Sequence, residues 1–141
     1  MLHKSLTLLL LSLPLLLASQ EYDTINQLDT QGRKTGYWEK KTPDGNFVYQ
    51  GYFKEGRPVG EMKRYYETGE LKAVMNYMED NDTVRTKFYY NDGEPAAEGC
   101  YLGNQKEGLW TYYSFYSAAV TSTEFFVHGL KQTAKLDSQG Y

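Results

Sequence analysis

The chain has 141 residues, with 15 Lys and Arg against 18 Asp and Glu and a formal net charge of −3. That balance argues against nucleic-acid binding, which depends on clustered cations facing phosphates, and against docking on anionic lipid by charge alone. Cys100 is the only cysteine, so no intramolecular disulfide can form and packing and sheet hydrogen bonds must hold the fold.

Residues 1–19 read as a secretory signal peptide: His3 and Lys4, a leucine-rich run from Leu6 to Leu17, then the small Ala18 and Ser19 before Gln20. The run is shorter than the roughly 20 apolar residues that span a bilayer. No cysteine follows it to take a lipid anchor. The expectation is an exported chain, periplasmic, at the cell surface or secreted, cleaved near Ala18 to Gln20. Residues 20–35 then make an N-terminal half-repeat, with Gly32 standing where Gly56 stands one copy later, and are expected to act as a cap.

From Gly36 the chain repeats every 24 residues. Steps from Gly36 reach Gly60, Val84 and Gly108; two residues on lie Trp38, Met62, Thr86 and Trp110; nine on lie Gly45, Gly69, Gly93 and Ser117. Seventeen on, each copy has an aromatic: Phe53, Tyr77, Tyr101 and Phe125. This register runs without an insertion, giving four copies at 36–59, 60–83, 84–107 and 108–131, while 132–141 is a partial fifth copy or a cap. Each copy is a hairpin unit. An aromatic-rich strand such as Lys63-Arg64-Tyr65-Tyr66 meets a glycine turn, a second strand runs back, and a second turn at Gly56 or Gly103 follows. The fold class expected is all-β, an elongated single antiparallel meander in which units are stabilised by their neighbours. Rings at one offset are expected to form a ladder, each resting on its equivalent one unit away. The third copy is the most degenerate, with Val84 and Thr86 in place of a glycine and a large apolar residue, after the acidic turn Glu79-Asp80-Asn81-Asp82.

Chemistry-bearing patterns are sparse. His128 is the only histidine after residue 3, so a histidine-based nucleophile system or metal cluster has no second member, and a solvated turn residue is the plainer account. The acidic run at Glu79 lacks the glycine and distal glutamate of a calcium loop. No cofactor or metal pattern stands out, and no catalytic set is expected. The aromatics remain: Tyr alone numbers 14, and aromatics make up 16% of the chain. Trp38, Tyr65, Tyr89, Trp110 and Tyr113 fall in first strands of their units and are the candidate partner-binding residues. Neighbours such as Tyr65 and Tyr66 must point to opposite faces, so either both faces are partly covered or one presents rings to solvent. A protein partner in the envelope or outside the cell is the leading expectation. Cell-wall glycan is the alternative, because sugars stack on Trp and Tyr.

The stretch Tyr49-Gln50-Gly51-Tyr52-Phe53-Lys54-Glu55-Gly56-Arg57-Pro58-Val59-Gly60 resembles the MORN repeat, whose pattern is Tyr-x-Gly-x-aromatic-x-x-Gly-x-x-x-Gly. A looser match runs from Glu98 to Trp110. The Gly-x-Trp continuations at Gly36 and Gly108, followed by tyrosine-rich strands, are similar to the bacterial variant labelled YwqK-type antitoxin-like. The resemblance covers most of residues 26–132. It implies a twisted hairpin sheet that serves mainly as a protein scaffold, in some members proposed to contact phospholipid. The antitoxin label is carried by name only.

Overall fold

Strand-forming aromatic and β-branched residues separated by tight turns leave this chain little choice but hairpins, and the computed structural model, which describes residues 24–78 and 82–133, consists of them. The strands are β1 (Gln27–Leu28), β2 (Lys34–Lys41), β3 (Phe47–Lys54), β4 (Arg57–Tyr65), β5 (Leu71–Tyr77), β6 (Thr83–Tyr89), β7 (Pro95–Leu102), β8 (Gln105–Tyr113), β9 (Val120–Val127) and β10 (Leu130–Gln132). They form one open sheet in chain order, every neighbour antiparallel, and the described residues contain neither a helix nor a second layer. The all-β meander expected from the repeat is therefore the fold. The signal-peptide reading of residues 1–19, most of the acidic turn at Glu79 and residues 134–141 lie outside the described residues.

Two kinds of turn alternate. Three-residue loops close β2 to β3, β4 to β5 and β6 to β7, with Thr42, Tyr66 and Tyr90 N–H groups donating to the carbonyls of Asn46, Glu70 and Glu94. Two-residue loops, Glu55-Gly56, Gly103-Asn104 and His128-Gly129, join β3 to β4, β7 to β8 and β9 to β10, as fixed by the pairings Lys54 with Arg57, Leu102 with Gln105 and Val127 with Leu130.

The same register is reached in two ways. Between the pairs Gly51 with Met62 and Tyr52 with Val59, β4 carries the extra residues Gly60 and Glu61; β8 does the same around Gly108, between Glu98 with Thr111 and Cys100 with Glu107. These bulges put Gly60 at φ 63° and Gly108 at φ 68°, a left-handed conformation that a β-branched side chain resists. In the degenerate third copy Val84 occupies that position, and no bulge forms: Met75 with Thr86, Asn76 with Arg85 and Tyr77 with Val84 pair without a shift. The two residues that a bulge would hold go into a longer connection instead, closed by the Met78 N–H donating to the Thr83 carbonyl at 3.1 Å. The replacement of glycine by valine and the lengthening of the turn are one change.

The last hairpin departs from the expected register. Tyr65 pairs with Leu71 and Tyr89 with Pro95, but Tyr113 pairs with Val120. One residue is inserted in the loop, where the Ser114 N–H donates to Ala119 and Ala118 takes φ 50°. Every residue beyond it is displaced by one. Gly108 consequently pairs with Phe126, as Gly36 pairs with Phe53 and Gly60 with Tyr77. Phe125 is 52% exposed and Phe126 only 8%, so Phe126, not Phe125, completes the row. The ladder itself also differs from expectation. Equivalent rings are two strands, about 9.6 Å, apart, and Val84 pairs with both Tyr77 and Tyr101. The rings stand in line, and their close contacts go to adjacent strands.

The buried residues form a stripe rather than a ball: Met62, Ala73, Val84, Thr86, Trp110 and Phe126. Its middle row runs Trp38, Gly51, Met62, Met75, Thr86, Gly99, with Trp110 next. Trp110 is the largest member and the most enclosed, with ring centroids 4.9 Å from Tyr101 and 6.3 Å from Phe88 and its Nε1 donating to the Cys100 carbonyl at 3.0 Å. The indole lies where a side chain on Gly99 would be; a Cβ there would come within 2.4 Å of the ring. Gly99→Ala is expected to cost about 3 kcal/mol in urea unfolding. In a Trp110→Ala background the same change should cost under about 1 kcal/mol, since the clash is gone. Thr86 supplies a second measurement. Its hydroxyl is buried with no hydrogen-bond partner among the described residues, so Thr86→Val, which keeps the shape, is expected to stabilise the fold by about 1 kcal/mol.

Candidate functional site

Paired residues share a face and successive residues alternate, so the pairings sort every strand residue. One face carries three rows of rings and apolar groups. The middle row is the one just described. On one side of it lie Phe53, Tyr77, Val84, Tyr101, Lys106 and Phe126. On the other side Lys40, Tyr49, Arg64, Ala73, Phe88, Ala97 and Tyr112 follow one another across β2 to β8. The opposite face carries Glu39, Gln50, Lys63, Val74, Lys87, Glu98 and Thr111 in its central row. Short ion pairs join its charges: Lys63 to Glu61 at 3.3 Å, Lys87 to Glu98 at 3.5 Å, Lys41 to Glu39 at 3.0 Å.

The five aromatics expected to bind a partner do not form one strip. Trp38 and Trp110 are on the ring-bearing face, and Trp110 is 1% exposed, which makes it a core residue. Tyr65, Tyr89 and Tyr113 end their strands on the opposite face. There the Tyr65 hydroxyl donates to Gln50 at 2.6 Å and the Tyr113 hydroxyl to Glu98 at 2.7 Å. Their neighbours Tyr66 and Tyr90 reach the next unit, donating to the carbonyls of Tyr89 at 2.7 Å and Tyr113 at 2.9 Å. Tyr49, Phe88 and Tyr112, outside those five, lie on the ring-bearing face. Phe88 and Tyr112 stand two residues beyond Thr86 and Trp110, the repeat equivalents of Trp38, so alternation along the strand signals their face. The turn and bulge glycines Gly36, Gly45, Gly56, Gly60, Gly69, Gly93, Gly103 and Gly108 all take positive φ, as their role in the repeat requires.

Two lysines mark the ends of the ring-bearing face. Lys34 Nζ sits 4.6 to 4.9 Å from the ring centres of Trp38, Tyr49 and Phe53 and donates to the Tyr49 hydroxyl at 2.5 Å. Lys106 Nζ stands 4.5 to 5.1 Å from Trp110, Tyr112 and Phe126 and donates to the Tyr112 hydroxyl at 2.7 Å. Each ammonium faces π-clouds that attract it, while its methylene stem covers ring surface. Between them lies a groove of about 1030 Å³ across β2 to β7, floored by Ala73, Met75, Val84 and Phe88, with Tyr77 and Tyr101 along one side and Lys40, Tyr49 and Arg64 along the other.

Burial raises the Tyr77 and Tyr101 phenols above their ordinary 10.0, against the opposing pull of Arg64 and Lys106 respectively. Burial likewise raises Tyr37, and the hydrogen bond to Glu98 raises Tyr113. At the far end, the hydrogen bond from Lys131 holds the Glu124 carboxyl low.

No family model, curated protein or solved structure matches this chain.

Because the neutral phenol is favoured in the folded state, its contribution to stability is fully present below the ordinary tyrosine value and is lost as pH rises through the raised one. Urea midpoints are therefore expected to hold steady from about pH 7 to pH 9 and to fall above about pH 10. Tyr77→Phe combined with Tyr101→Phe should make that fall shallower.

Proposed function

We propose that this chain is an exported, non-catalytic binding module that takes a protein partner on its ring-bearing face. The observation that carries the reading is that the sheet is one layer thick: among the described residues no second layer covers the half-buried rings of Tyr49, Phe53, Tyr77, Phe88, Tyr101 and Tyr112, which only the Lys34 and Lys106 side chains partly overlie. Large amphipathic rings held rigidly at a surface are the anchors that interfaces favour, since they bury much area at small entropic cost. The groove gives them a concave setting, and the sequence resemblance to scaffold-forming MORN repeats agrees with that use. On the opposite face the charges neutralise one another in short pairs, leaving less to offer a partner. The leucine-rich start of the chain, read as a signal peptide, supports a role outside the cytoplasm.

Immobilised protein and envelope extract test the proposal, with quantitative recovery of bound protein. A Tyr49→Ser and Tyr77→Ser double variant alters the ring-bearing face; Tyr89→Ser and Tyr113→Ser together alter the other. With both variants shown by circular dichroism to be folded, the first is expected to lose specific recovery by about tenfold or more and the second to retain it. Equal recovery by the two rejects the ring-bearing face as the site.

A further inference from the structure

Charge on the ring-bearing face is of nearly one sign, although the whole chain is acidic. Its strands hold Lys34, Lys40, Arg64, Lys106 and Lys131 and a single carboxylate, Glu124, which accepts from Lys131 at 2.6 Å. The strand acids Glu39, Glu61, Glu98 and Glu107 all project from the other face. Lys106 is engaged with rings. Lys40, Arg64 and Lys72 line the groove, exposed, and none is ion-paired among the described residues. Glu67 is the one acidic side chain on the groove wall. A ligand that fills this groove must therefore offer apolar groups to the rings and negative charge to the far side.

Spacing narrows the choice further. Lys40 and Arg64 are equivalent positions of successive units, as are Tyr77 and Tyr101, and such positions recur every two strands, about 9.6 Å. A polyproline II helix turns once in three residues, rising about 9.3 Å. A β-strand brings a side chain back to one side about every 6.6 Å, and an α-helix turns about every 5.4 Å; neither keeps step with the units. A polyproline II segment laid across the strands keeps step, presenting one edge to the tyrosines, one to the cations and one to solvent. Sugars fit less well. Their hydroxyls need many planar polar partners; the groove floor of Ala73, Met75, Val84 and Phe88 supplies none, and only Arg64, Glu67 and Asn104 do so on its walls.

We propose that the groove binds an extended, polyproline-II-like acidic segment of a protein, with an apolar side chain at every third position against Tyr77 and Tyr101 and carboxylates facing Lys40, Arg64 and Lys72. This rests on the ring-bearing face being the binding surface and goes on to name what it binds. The test uses the full chain and fluorescence anisotropy of labelled peptides of four Glu-Pro-Leu triplets, four Lys-Pro-Leu triplets and six Glu-Leu doublets, with polygalacturonate and anionic vesicles as competitors. The acidic triplet peptide is expected to bind at least about tenfold more tightly than either other peptide, and to weaken with added salt because its charged contacts lie at the surface. Lys40→Gln with Arg64→Gln, both exposed positions, should remove that preference for acid over base. Equal affinity for acidic and basic triplets, or an unchanged preference in the double variant, overturns the proposal. Equal binding of the doublets overturns the spacing argument. Binding of polygalacturonate followed by tryptophan fluorescence, or co-sedimentation with the anionic vesicles, when no peptide binds overturns the proposal and assigns the groove to glycan or lipid instead. If no peptide binds while the Tyr49 and Tyr77 variant still loses its envelope partner, the binding-module reading stands and the acidic segment falls; if that variant also keeps its partner, both fall.

Discussion

Antiparallel register is the constraint on which the rest of this molecule depends. Side chains alternate, so a slip of one residue in any pair of strands would exchange the two faces beyond it. The chain holds the same inner register in every copy by different local means. Two copies use a bulge at a glycine, Gly60 or Gly108, after a two-residue turn. The third puts the same residues into a longer connection and carries Val84, which is then free to fill the core. An inserted residue after Tyr113 is absorbed at the end of the array, where only β9 and β10 follow.

A sheet one layer thick cannot bury much, and the composition answers that limit. Large rings lie along the face and touch edge to face across strands, as with Trp38 and Phe53 or Tyr101 and Trp110, which adds about 0.5 to 1.5 kcal/mol per pair beyond area burial. Size must still alternate along the middle row, because neighbouring strands are too close for two indoles. Gly51 makes room beside Trp38 and Met62, and Gly99 beneath Trp110. Tyrosine suits the remaining positions: Tyr66 and Tyr90 cover the next unit with their rings and reach its backbone with their hydroxyls. Thr86 is the misfit of the row, small and polar where its equivalents are Trp or Met, and it belongs to the copy that also lost its glycine.

Periodicity made the architecture legible. A repeat of 24 residues with turn glycines at fixed offsets specifies hairpins, their order and their antiparallel sense, and the ten-strand meander follows. Two things were hidden. The insertion between Tyr113 and Val120 is invisible by alignment because Phe125 and Phe126 are both phenylalanine, and only pairing with Gly108 distinguishes them. The division of the aromatics between faces was obscured by attention to ring identity rather than to alternation along each strand. Aromatic identity drew attention to Tyr65, Tyr89 and Tyr113, yet alternation from the repeat equivalents of Trp38 places them opposite the groove, and places Phe88 and Tyr112 with it.

Net charge misleads for the same geometric reason. An excess of acids over the chain argues against anionic partners only if charge is spread evenly, and a sheet with alternating side chains can separate its charges completely between faces. Here the strand acids gather where Lys63, Lys87 and Lys41 neutralise them at 3.0 to 3.5 Å, and the loops hold many of the others. The surface that rings and groove make available is left with Lys40 and Arg64 one unit apart and no carboxylate beside them in their row. Cations that are exposed and unpaired raise the local concentration of anions over distances of about 8 to 10 Å at ordinary salt. A partner approaching that face therefore meets these cations first even though the molecule as a whole is negative, because the strand acids Glu39, Glu61, Glu98 and Glu107 project from the other side of the sheet.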